Sequence, residues 1–134
     1  MEIRLRSLRI ALVAVGLIFT LGFYPLTVLW PDGWTWHTGH SDYIWMIIGV
    51  YATLGIFLLL AARNPQEHAS LIWFTIWSSV VHAVIMAAQA IEQPMHAGHL
   101  LGDVPALLIV AGLLAVLMPR HAPVSTNMKV AAKA

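Results

Sequence analysis

Imidazole and carboxylate carry most of the chemistry available to this chain. Four of its seven histidines fall into two matching tetrapeptides, His37-Thr38-Gly39-His40 and His96-Ala97-Gly98-His99, each reading His-x-Gly-His. Asp42 follows the first, Asp103 follows the second, and Glu92 stands shortly ahead of the second. Neutral imidazole is the commonest protein metal ligand, and a carboxylate often completes its set. Histidines three apart converge on one ion when they share a helical or tight turn, and the intervening glycine eases that turn. His37, His40, Asp42, His96, His99 and Asp103 together would suit a divalent transition metal (zinc, copper or iron) and would suit calcium or magnesium poorly. Met86 and Met95 add a soft option for copper. The competing reading is structural: Ser41 and Asp42 are good N-caps, and Asp103 with Pro105 is a good helix start.

His82 stands apart, in the middle of a long apolar run. An ionisable group at membrane depth is costly and calls for a functional hypothesis. Ser78, His82, Met86 and Gln89 follow a helical spacing, and Glu92 or Gln93 continues the line. Three readings compete for this stripe: an interhelical hydrogen-bond seam, a proton or ion path, and one wall of a cofactor site. A haem held by two histidines needs a second embedded histidine on a facing helix, which this chain lacks. Haem would therefore require a homodimer, a Met ligand or a partner subunit. No lysine lies within an apolar run, which excludes a retinal Schiff base. There is no glycine-rich nucleotide loop, no plausible Ser-His-Asp order and no nucleic-acid signature.

These residues must be positioned by membrane helices. Of 134 residues, 60% are hydrophobic and 10% charged, whereas a soluble domain of this size has a large surface to cover with charge. Four apolar runs, at about 8–29, 43–62, 70–91 and 100–118, each have the roughly 20 residues that cross a bilayer core. Backbone groups in lipid must be satisfied within the segment, so the runs are helices, and none alternates as a barrel strand would. The expected fold is all-α: a single-domain, integral membrane four-helix bundle. The repeated tetrapeptide would make it two parallel helical hairpins. Tyr24-Pro25 should kink the first span, because proline leaves the Leu21 carbonyl without its helical donor. Ala83, Ala87 and Ala90 on the third span, and Ala111 and Ala115 on the fourth, should permit close helix contact. Residues 119–134 read as a disordered cytoplasmic tail. Without cysteine, neither disulfides nor thiolate sites exist.

Charge sets the expected topology. Arg4, Arg6, Arg9, Arg63, Arg120, Lys129 and Lys133 are all the Lys and Arg of the chain, and none lies in the loops after the first and third spans. Those loops and their borders hold Asp32, Asp42, Glu92 and Asp103 instead. The positive-inside rule then puts both termini in the cytoplasm. Trp30, Trp34, Trp36, Tyr43 and Trp45 mark the outer boundary, and Trp73 and Trp77 the inner one, as an aromatic belt does. The arginine-rich start also has a signal-peptide look, but the run after it is too long and lacks a small-x-small cleavage site.

Ser70-Leu71-Ile72-Trp73-Phe74-Thr75, Trp77-Ser78-Ser79, His82 and Gly98-His99-Leu100-Leu101-Gly102-Asp103-Val104-Pro105 resemble a family of small four-helix bacterial membrane proteins of unknown function. Trp30-Pro31-Asp32-Gly33-Trp34 fits the same pattern. In size and helix count the chain is also similar to DoxX-type membrane proteins. The resemblance implies the fold and draws attention to His82, His99 and Asp103, but implies no activity. The expected protein is a multi-pass protein of a bacterial inner membrane, its outward face carrying a histidine and carboxylate cluster for a divalent metal and His82 serving as proton acceptor or cofactor contact. Two other classes are an accessory subunit of a larger membrane complex or homo-oligomer, and a small transporter with a polar path through His82.

Overall fold

The computed structural model describes residues 2–36 and 41–119. Four helices are long and apolar enough to cross a membrane: Glu2–Leu29, Asp42–Ala61, Ala69–Glu92 and Pro94–Leu117. Among the described residues there is no strand. The protein is an all-α, multi-pass membrane bundle. The first helix starts at Glu2, ahead of the apolar run, because Arg4 has a partner: its guanidinium donates from Nε and Nη2 to the carbonyl of Val116. That carbonyl is among those left without a helical donor at the end of the fourth helix, where a cation is favoured. The chain's first turns and its last span therefore end on the same side of the bundle.

Two elements depart from straight helices. Ile18–Gly22, ahead of Pro25, is a π-helical turn, the local widening that accommodates a missing helical donor. Thr20 Oγ1 donates to the Gly16 carbonyl at 2.7 Å just below it. Here the first and second helices touch backbone to backbone, since a Cβ on Gly55 would sit 2.6 Å from the Gly16 oxygen. The fourth span is likewise interrupted. Pro94–Leu100 is a 3-10 stretch, and the α-helix proper runs only from Asp103 to Leu117. Its 15 residues reach about 22 Å, short of the hydrocarbon thickness, so the residues next to it, 98–102, must make up the difference. Irregular backbone at that depth must be covered by protein. The single helical turn Pro31–Trp34 covers it: Cβ atoms added to Gly98 or Gly102 would collide with the carbonyls of Asp32 or Gly33.

Packing differs between the two halves of the bundle. Leu8, Leu12, Leu58, Ile72, Thr75 and Leu114 are fully buried, and all lie toward the end that holds Arg4 and Val116. Lipid tails are as apolar as leucine, so this half is held by close van der Waals contact. Ala83, Ala90 and Ala111 are buried in the extensive seam between the third and fourth helices, as their small side chains predict. Ala115 faces outward instead, and Ala87 is half-buried. The second and third helices meet only sparsely. Towards the loops 30–36 and 94–102, space opens between them.

Candidate functional site

A cavity of about 390 Å³ occupies the loop half of the bundle. The π-turn builds one wall, since it brings Phe19 and Phe23 onto the same partner. Phe19 meets Tyr51 edge-on with ring centroids 5.0 Å apart, and Phe23 stacks on Tyr51 at 5.2 Å. Trp34, edge-on to Phe23, and Trp36 close the loop side. Ala106, Leu107 and Val110 supply the fourth-helix wall, and His82 and Met86 the third. The lining is almost wholly apolar, with Tyr51, His82, Trp34, Trp36 and Asp103 as the members that carry a polar atom. Two of these have an unanswered polar atom. Trp34 Nε1 and Asp103 Oδ1 are buried and form no hydrogen bond of normal geometry, although the amides of Asp103 and Val104 face the Asp103 carboxyl. Buried polar groups usually have partners, so each is an exception that calls for an explanation.

Asp103 belongs to a pair. Its Oδ2 lies 2.7 Å from His99 Nδ1, and both residues are buried. His99 Nε2 is 3.2 Å from the Thr35 carbonyl oxygen. A carbonyl can only accept, so Nε2 carries a hydrogen. The short contact on the other ring nitrogen then needs a proton of its own, on Nδ1 or on Oδ2. Either placement leaves the pair with no net charge, which is how two ionisable groups can share a buried site without a bare charge in low dielectric. Trp36 stacks on the His99 ring at 4.2 Å and also touches His96, at 4.6 Å. The pair therefore ties the loop at 31–36 to the start of the fourth helix.

The stripe on the third helix is a real surface. Ser78, His82, Met86, Gln89 and Gln93 line one cleft of about 680 Å³ with His96 and Trp36, so Gln93, not Glu92, continues the line. His82 Nδ1 is hydrogen-bonded to Tyr51 Oη at 2.8 Å. This bond joins the second helix to the third where the two pack sparsely. A further cleft of about 330 Å³ lies below it, lined by Tyr43, Met46, Val50 and Phe74, whose side chains are exposed on the lipid-facing surface. Ile47 and His82 line all three spaces and are the partition between them.

The residues singled out in the sequence fare unequally. His99 and Asp103 come together, with His96 in ring contact at 6.0 Å from His99. His82 is elsewhere, half-exposed at the partition. His37 and His40 lie outside the described residues, and Asp42 opens the second helix on an exposed face. Among the described residues, no group of three histidines or carboxylates could hold a metal ion. Both ring nitrogens of His99 are engaged as it stands. Sequence reasoning missed Tyr51, Trp34, Trp36 and Phe19. Tyr51 could have been found as a hydroxyl in mid-span opposite His82. Trp34 and Trp36 were expected in an aromatic belt with Trp30, Tyr43 and Trp45, whose rings are exposed. The indole of Trp34 turns inward to the cavity, and that of Trp36 lies against His99.

The chain belongs to a family of unknown function, DUF6632, whose profile matches residues 3–131. No curated protein and no solved structure matches it.

Proposed function

We propose that this member of a family with no assigned activity is a membrane-embedded binding protein for a small lipophilic molecule, taken into the cavity bounded by Phe23, Trp34, Tyr51 and Asp103. The observation that carries this reading is the conjunction of an apolar space of about 390 Å³ with two buried, unanswered polar atoms among its lining residues. Ligand sites are typically apolar clefts of about 300–1,000 Å³ with a few placed polar groups. The open seam between the second and third helices supports a lateral path from the bilayer, with the Tyr51–His82 bond across it. From the distribution of Lys and Arg we also infer that the loop half faces away from the cytoplasm. Para-cymene, an apolar hydrocarbon of suitable size, tests the cavity. It should raise the thermal midpoint of the purified protein in a saturable manner, as any ligand confined to the native state does. In Ala106→Phe, which fills the fourth-helix wall, that saturable shift should vanish while helical content is kept. A shift that persists in this variant would refute the reading.

A second reading keeps a divalent metal at the loop rim. It is favoured by Asp103 holding His99 Nδ1, the way carboxylates orient metal-bound imidazoles. The ion would displace the Thr35 oxygen from Nε2 and add His96 from the same 3-10 face. Elemental analysis of the purified protein and of a His96→Ala, His99→Ala double variant decides it; equal metal content in the two sinks this reading.

A further inference from the structure

The cleft of about 680 Å³ along the third helix has a chemistry of its own, separate from the apolar cavity and independent of what that cavity holds. Its polar members are Ser78, His82, Gln89, Gln93 and His96. Gln89 and Gln93 are exposed and the other three half-buried. Neither glutamine side chain has a hydrogen-bond partner among the described residues. His82 lies about 15 Å short of the helix end at Glu92. Its Nδ1 is taken by Tyr51, but Nε2 has no partner among the described residues. An unanswered imidazole nitrogen so far from the rim is costly unless something polar meets it.

These groups share one property: each calls for a partner that can both donate and accept. If Tyr51 donates to Nδ1, then Nε2 carries the hydrogen; if Nδ1 donates, Nε2 accepts. A hydroxyl serves in either case. A glutamine amide offers a donor and an acceptor, and Ser78, whose hydroxyl donates to the Thr75 carbonyl at 3.3 Å, keeps its lone pairs for an incoming donor. A phosphate diester only accepts and an ammonium only donates. Neither would meet a counter-charge, since no Lys, Arg, Asp or Glu lines the cleft. The polar groups are also strung along the helix, with a rise of about 10 Å between His82 and Gln89, a line matched by several hydroxyls rather than one.

The apolar part of the cleft selects what bears those hydroxyls. Val81 and Ile85 are exposed beside the polar line, with Ile47 of the second helix in the same cleft. The adjoining cleft of about 330 Å³ shares Ile47, Ser78 and His82, and is otherwise lined largely by Met46, Val50 and Phe74. A soluble sugar has no use for these surfaces, whereas an acyl chain packs on them as on other chains. We propose that the two clefts hold a membrane lipid with an uncharged head bearing several hydroxyls, of the glycosyl diacylglycerol class. Its head lies along Gln93, Gln89 and His82, and an acyl chain lies over Ile47 and Phe74. No bond is made or broken.

Native mass spectrometry of the full chain in an amine-oxide detergent, which carries no sugar, reads the retained lipid directly. Monoglucosyl dioleoylglycerol should bind about tenfold more tightly than dioleoylglycerol, which has the same chains and one hydroxyl; this is the gain of one or two net hydrogen bonds. Dioleoylphosphatidylglycerol, hydroxylated but anionic, should bind no better than dioleoylglycerol. A variant carrying Gln89→Leu and Gln93→Leu changes only exposed side chains. It should bring the glucosyl lipid within about twofold of dioleoylglycerol, with helical content and the para-cymene midpoint shift kept. Equal retention of the glucosyl lipid and dioleoylglycerol by the native chain, or an undiminished preference in the double variant, would overturn the proposal. Retention of the anionic lipid as firmly as the glucosyl one would overturn the uncharged head. Displacement by methyl glucoside at matching concentration would overturn the lipid as its source. None of these results bears on the cavity, which para-cymene reports separately.

Discussion

At the scale of single residues, the His99–Asp103 pair shows how donor accounting separates variants that look alike. Because Nε2–H is given to Thr35, a neutral His99 presents Nδ1 as an acceptor. Asn at position 103 offers an amide N–H to that nitrogen, whereas Ala offers nothing and leaves a buried imidazole without its partner. Asp103→Ala should therefore destabilise the protein by about 1–3 kcal/mol, the cost of a buried acceptor left unsatisfied, and Asp103→Asn by only about 0.5 kcal/mol, both measured by reversible denaturant unfolding in mixed micelles. Similar losses for the two would mean that the proton assignment is wrong. The importance of His99 and Asp103 was legible in the sequence, but their arrangement was not. Four residues on a helix would place the two side chains on one face; here the reach is made from a 3-10 turn, across a bend, into the first residue of the next helix. Spacing alone does not distinguish that from a pair of metal ligands.

At the scale of elements, the glycines divide into those a neighbour's backbone requires and those it does not. Gly55 and Gly16 allow the first two helices to touch, and a methyl on Gly55 would strike Thr20 and the Gly16 carbonyl. Gly49, six residues earlier on the same helix, has nothing within 4 Å of an added Cβ. Gly55→Ala should cost about 1–3 kcal/mol through forced helix separation, and Gly49→Ala should gain about 0.5–1 kcal/mol from helix propensity. Thermal midpoints moving in opposite directions would confirm the contrast, and a matching pair of shifts would refute it. This division is invisible in a sequence, because backbone contact leaves no side-chain pattern. The same holds for Gly98. Read in sequence as the residue that eases a turn between two histidines, it is in fact where the Pro31–Trp34 turn lies against the 3-10 stretch. The proline at position 25 did signal an irregularity in the first span. Its effect, two phenylalanines set around Tyr51, depended on a second helix that the local sequence does not describe.

For the whole molecule, apolar length specifies the four helices that are seen. Four runs of sufficient length give four crossing helices, with ends shifted by a few residues where a charge such as Arg4 finds a carbonyl. The cavity was not legible at this scale, since it arises from an uneven distribution of packing along the bundle axis. Orientation in the bilayer can be tested cleanly because the chain has no cysteine. Cysteine introduced at Met95, which is exposed in the loop half, should react with an impermeant maleimide added to intact cells. Cysteine at Gln66, in the opposite loop, should react only after permeabilisation. The reverse pattern would invert the orientation inferred from charge.

The contacts that join the ends of the chain also constrain the order in which it can be made. Thr35 leaves the ribosome 64 residues ahead of His99, and Arg4 precedes Val116 by 112. Neither partnership can form until the last span has been threaded into the bilayer. A nascent chain halted after its third span would hold the Pro31–Trp34 turn with no 3-10 stretch beneath it and an arginine with no carbonyl to answer it. Final insertion thus fastens both rims together, and a newborn chain lacking that span should be an early target for membrane quality control.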